Sequence, residues 1–65
     1  MSTSLQAVRE GRQLSRAAVA RRLGLSEQTI YRMERGKTEV KDVYLIALAS
    51  VYEVDVNTLK EAIAA

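Results

Sequence analysis

The chain has 65 residues and a mass of 7.2 kDa, room for one domain that buries about 60% of its unfolded surface. With no cysteine, disulfides and thiolate metal sites are excluded; with no histidine, most zinc sites and most general-base arrangements lack their usual group, and no base–nucleophile pair can be assembled from histidine, cysteine or a glycine-rich phosphate loop. Proline is absent, and 48% apolar with 28% charged residues describes a compact helical domain, not a disordered chain.

Gly11, Gly24 and Gly36 punctuate the chain, and apolar residues recur at helical spacing between them. Thr3 or Ser4 caps a first helix carrying Leu5 and Val8 on one side. Ser15, ahead of an alanine-rich turn, caps a second helix that runs to about Leu23, with Gly24 as the left-handed residue that closes it. Ser26 caps a third helix that ends at Gly36. A fourth runs from Asp42 to Glu53, and Asp55 caps a fifth from Val56 to Ile63, with Val56, Leu59 and Ile63 on one side. No segment alternates long enough to be a strand. The expected fold class is therefore all-α. Residues 16–23 and 27–35, joined by Gly24-Leu25-Ser26, have the outline of a helix-turn-helix, with Ala20 small enough for a close crossing. The longest apolar stretch, Val43 to Tyr52, is interrupted by Ser50 and is half the roughly 20 residues of a membrane span. No export signal precedes the first arginines, so a cytoplasmic location with no membrane partner is expected.

The modest net charge of +2 conceals two unlike halves. Residues 1–37 carry eight basic against three acidic side chains, a balance of +5, whereas residues 38–65 carry two against five, a balance of −3. Such a division suits one side that faces a polyanion and another that faces something else. A merely solvated charged surface is the plain alternative.

At about 100° per residue, Ile30, Met33 and Glu34 share one arc of the third helix. Gln28, Tyr31, Arg32 and Arg35 share the opposite arc, with Thr29 at its edge. Gln and Arg make bidentate contacts with adenine and guanine edges in the major groove, and a threonine methyl can touch thymine. Glu27 suits the positive end of the helix dipole, and it can also accept from a cytosine amino group. Glu34 on the inward arc requires a partner. Arg9 on the first helix is the candidate, and a surface contact with Lys37 is the alternative.

The run Leu14-Ser15-Arg16-Ala17-Ala18-Val19-Ala20-Arg21-Arg22-Leu23-Gly24-Leu25-Ser26, then Thr29-Ile30 and Glu34-Arg35-Gly36-Lys37, resembles the phage-repressor/Cro type of helix-turn-helix domain. The likeness continues through Leu45, Leu48, Ala49, Val54 and Leu59, so it covers nearly the whole chain. It implies a five-helix domain of the lambda-repressor-like type over residues 1–65, binding operator DNA as a two-fold dimer with its third helix in the major groove. It further implies that Glu27, Gln28 and Arg32, with Thr29 close by, read bases. Arg16 matches a phosphate-contacting position usually held by glutamine; Arg35, Gly36 and Lys37 match the phosphate-contacting end of the third helix. Arg9 and Glu34 match an internal ion pair. Val40-Lys41 replaces the proline-serine that commonly starts the fourth helix, and Glu53 stands where a glycine commonly ends it.

The expected function is that of a stand-alone transcriptional regulator, a repressor of an inverted-repeat operator in double-stranded DNA, with no enzymatic activity, cofactor, metal or small-molecule ligand. Tyr31 joins the phosphate-facing group. Tyr44, Val51, Tyr52, Val56 and Ile63 are candidates for the homodimer contact, with core membership as the competing role of each. The rival function is a protein-interaction module, such as the antitoxin of a toxin–antitoxin pair or a restriction-modification controller.

Overall fold

The computed structural model describes residues 4–64. Five helices follow in order: α1 (Leu5–Gly11), α2 (Arg16–Leu23), α3 (Glu27–Glu34), α4 (Asp42–Tyr52) and α5 (Val56–Ala64). No strand occurs among the described residues, and the fold is all-α as the spacing predicts. Ser4 caps α1, its Oγ accepting from the Ala7 N–H at 3.1 Å; Thr3, the alternative cap, lies outside the described residues. The third and fourth helices stop one residue before the expected ends at Arg35 and Glu53, which serve as their C-caps. α5 extends one residue past Ile63.

Each helix contributes to one core. Leu5 comes from α1, Val19 and Ala20 from α2, Ile30 and Met33 from α3, Leu45, Leu48, Ala49 and Tyr52 from α4, and Leu59 from α5. Half-buried Val8, Leu14, Leu23, Leu25 and Val40 pack around it. Tyr52 is the largest of the fully enclosed side chains, 1% exposed. That corrects its place among the pairing candidates: a side chain wrapped by its own fold has no surface to offer a second copy.

α2 packs chiefly on α3, and α4 on α5 and α2. Gly24, with φ 71° and ψ 29°, closes α2 in the left-handed region, and the Leu25 N–H returns to the Ala20 carbonyl at 2.9 Å. This closing motif brings the Gly24 and Leu25 N–H groups onto the one Ala20 carbonyl and turns the chain sharply. Ser26 then opens α3 at once. Ala20, 4% exposed, is the buried small residue of the corner. No helix among the described residues is long and apolar enough to cross a membrane.

Candidate nucleic-acid interface

The corner is fixed at both openings by serine. Ser15 Oγ accepts from the Ala18 N–H at 3.1 Å, and Ser26 Oγ accepts from the Thr29 N–H at 3.2 Å. Each bond satisfies one of the unpaired donors of a helix start. Ser26 Oγ also lies 2.9 Å from Thr29 Oγ1, so the Thr29 hydroxyl is engaged locally while its side chain is half-buried.

α3 divides sharply between core and solvent. Ile30 and Met33 are 1% and 4% exposed and anchor the helix, whereas Glu27, Gln28, Arg32 and Arg35 are exposed on its other side. Gly36 and Lys37 are exposed in the turn that follows. Gly36 has φ 72°, and the Lys37 N–H reaches the Arg32 carbonyl at 2.9 Å. The fold thus leaves a short helix with two guanidiniums and a glutamine amide directed at solvent, and a lysine at its far end.

Behind this face lies an ion network. Glu34 has a side chain only 2% exposed, and its Oε2 accepts from Arg9 Nε at 2.6 Å. Its Oε1 accepts from Arg9 Nη2 at 3.4 Å and from Arg16 Nε at 3.0 Å. Arg9 Nη1 donates to the Leu14 carbonyl at 2.8 Å, tying the loop before α2 to the same group. Glu34 therefore bonds to α1 and α2 and not to Lys37. The bond to Glu34 raises the Arg9 pKa above its usual value, against the opposing effect of burial. The Tyr52 hydroxyl is pushed up to about 12, first by burial and then by the Glu34 charge, with Arg9 acting the other way. The largest core side chain thus sits within the field of the network.

Arg16 is the side chain whose setting the sequence did not disclose. It opens α2, its side chain is 32% exposed, and its guanidinium lies 5.1 Å from the centre of the Tyr31 ring. Arg35 lies 5.3 Å from the same ring. Charge and spacing in sequence gave no sign of a bond from Arg16 to a carboxylate eighteen positions away; only the helix crossing brings them together.

Of the remaining sequence candidates, Tyr44, Val51 and Val56 are half-buried against the core. Ile63 is 44% exposed and lines a shallow groove with Leu5, Met33 and Gly36. Val43 and Ile46 were not singled out by the sequence, yet they are 67% and 60% exposed on the outer side of α4. Among the described residues no group of three acidic side chains is arranged to hold a metal ion.

No curated protein and no solved structure matches the chain. The helix-turn-helix domain family matches over residues 1–62, a span that contains the α2–α3 corner, the exposed face of α3 and the packing that supports them. The chain belongs to the helix-turn-helix domain family, and that membership points to a DNA-binding regulator.

Proposed function

We propose that the chain is a repressor of the phage-repressor/Cro type that binds an inverted-repeat operator as a homodimer, with α3 lying in the major groove. Carrying this reading is the division of α3: Gln28 and Arg32 stand in solvent while Ile30 and Met33 fix the helix from behind. A helix so anchored presents base-reading groups without having to order itself on contact. Gln28 and Arg32 make the bidentate base contacts, each discriminating by about 1–3 kcal/mol, with Glu27 and Thr29 at their flanks. Arg16, Tyr31, Arg35, Gly36 and Lys37 face the phosphates, and neutralisation of phosphate charge by Arg16, Arg35 and Lys37 supplies the salt-dependent affinity.

The size of the molecule supports pairing. Its longest extent is 27 Å, short of the about 34 Å that separates successive major-groove faces along one side of a duplex. One copy reads one half-site, and a second copy is needed for the next. The side chains available for pairing are those the fold leaves in water, Val43 and Ile46 on α4 and Ile63 on α5. The work is done by binding, in the cytoplasm beside the nucleoid, with no chemical step.

Selection of bound sequences from a random duplex library tests this reading. Enriched sequences should contain inverted half-sites with centres about 10 base pairs apart. Enrichment of single half-sites would remove the homodimer, and absence of any enrichment at low salt would remove operator binding.

A further inference from the structure

Tyr31 offers a duplex two different chemistries. Its hydroxyl can donate one hydrogen bond to a phosphate oxygen, and its ring face can hold cations. The structure favours the ring. Arg16 from α2 and Arg35 at the end of α3 both place their guanidinium carbons over it, at 5.1 and 5.3 Å from its centre. The ring therefore links α3 to the start of α2 through the Arg16 guanidinium.

Two like charges gathered at one ring repel each other, and Arg16 also stands at the positive end of the α2 dipole, where a cation is disfavoured. Local forces would turn Arg16 away. What retains it is tertiary: Nε donates to Glu34 Oε1 at 3.0 Å, and that carboxylate is held in turn by Arg9. The carboxylate is shared by two guanidiniums, so Arg9, Glu34 and Arg16 together keep one positive charge, expressed at the more exposed Arg16 end. Beyond Nε, neither the Arg16 nor the Arg35 guanidinium makes a further hydrogen bond among the described residues. The result is two prepositioned forks with donors to spare, a form that suits phosphodiester oxygens.

We propose that Tyr31 serves duplex binding through its ring, as a platform that holds Arg16 and Arg35 as one phosphate-binding pair, with Glu34 as the positioning residue that fixes Arg16 from the core side. The proposal rests on the duplex-binding reading above and adds how the phosphate contacts are prepared. A free arginine gives up much rotamer freedom when it closes on a phosphate; one already stacked and hydrogen-bonded gives up less. The ring thereby couples two contacts that would otherwise act separately.

The test is a titration of random-sequence duplex, repeated over a range of salt concentrations, with the native chain, Tyr31→Phe, Tyr31→Leu, Arg16→Ala, Arg35→Ala and the double variant of both arginines. The Phe variant keeps the ring and should bind within about twofold of the native chain. The Leu variant should bind about 5- to 30-fold more weakly on every sequence, the loss expected when both cation–ring contacts go. The two arginine substitutions should be non-additive, because the guanidiniums share one ring and repel each other there, so removing either changes how firmly the ring holds the other. Equal losses for Phe and Leu would assign the contact to the hydroxyl and overturn the proposal; so would strictly additive arginine losses, a comparison that stands even if the Leu variant folds poorly. A native chain that holds no duplex at low salt would instead remove the reading beneath, a result distinct from any ordering among the variants.

Discussion

The α2–α3 corner and the helix that follows it end in the same backbone device built from different residues. α2 and α3 close on Gly24 and Gly36, both left-handed, with the next N–H returning five residues back. α4 closes the same way, the Val54 N–H reaching the Ala49 carbonyl at 3.0 Å, but the left-handed residue is Glu53 with φ 56°. The openings differ as well. Ser15 and Ser26 cap the corner helices with side-chain oxygens that accept from backbone N–H groups, whereas Lys41 at the start of α4 makes no side-chain cap bond. The corner is specified by local chemistry, each signal agreeing with the next. α4 is specified by what it buries, since Leu45, Leu48, Ala49 and Tyr52 all enter the core. A helix whose outer face must stay in water for a partner has little burial to define it; a helix that sends four side chains into the core tolerates poor ends.

The strongest way to break this contrast is at the Arg9–Glu34 pair, where the corner depends on tertiary contact after all. Arg9→Ala leaves the Glu34 carboxylate buried with only the half-exposed Arg16 as partner. Removing one partner of a buried pair destabilises by about 3–5 kcal/mol, comparable to the whole stability of a domain this small. Thermal melts followed by circular dichroism should show the transition lost or greatly lowered. A variant that melts like the native chain but no longer binds duplex would instead move Arg9 into the DNA contacts.

Tyr52 supplies the next effect, from the α4 side. Its hydroxyl titrates near 10 in an unfolded chain and at about 12 here, so the folded state holds the proton more tightly. This contribution is complete below pH 10 and falls away as pH rises through 12, amounting to roughly 2–3 kcal/mol. Denaturant titrations at increasing alkaline pH should show that loss in the native chain and a much smaller one in Tyr52→Phe. Equal pH sensitivity in the two would place the alkaline transition elsewhere.

These two sites also mark where the sequence was legible and where it was not. Caps, left-handed glycines and the two arcs of α3 are read from neighbours in the chain, and the helices lie close to the positions those signals predict. The expectation of a buried partner for Glu34 came from one arc of one helix and a rule about charge burial. Arg16 escaped because its bond to Glu34 exists only once α2 crosses α3. Tyr52 was ambiguous because a tyrosine at a helical apolar position fits a core and an interface equally well. Val43 and Ile46 escaped because α4 is apolar nearly all round, so periodicity could not say which side faced water.

Within the corner, two substitutions sharpen the division between reading and holding. Gln28→Ala should lower discrimination among operator variants by about 1–3 kcal/mol and leave the dependence on salt nearly unchanged. Lys37→Ala should weaken binding to all sequences alike and reduce the salt slope by about one. Both side chains are exposed, so neither change should move the melting temperature. Identical behaviour of the two variants would collapse the distinction between base-reading and phosphate-facing residues.

The smallest effect tests the contrast at its origin, the ends of α4. A residue other than glycine in the left-handed region loses about 1 kcal/mol, and an acidic side chain at a helix C-terminus adds a small unfavourable term. Glu53 carries both, while its useful contact is made by backbone: Arg12 Nη2 donates to its carbonyl at 3.1 Å. That bond survives any side-chain change. Glu53→Gly should therefore stabilise by about 0.5–1 kcal/mol, raising the melting temperature by roughly 2–8 °C. Glu53→Ala removes the charge but keeps the strain, so it separates the two causes and should recover only the smaller part. If alanine matched glycine, the dipole and not the backbone would be the cost at this position. If glycine brought no gain, α4 would already be ended as well as the corner helices are, and burial would not be what makes up for its ends.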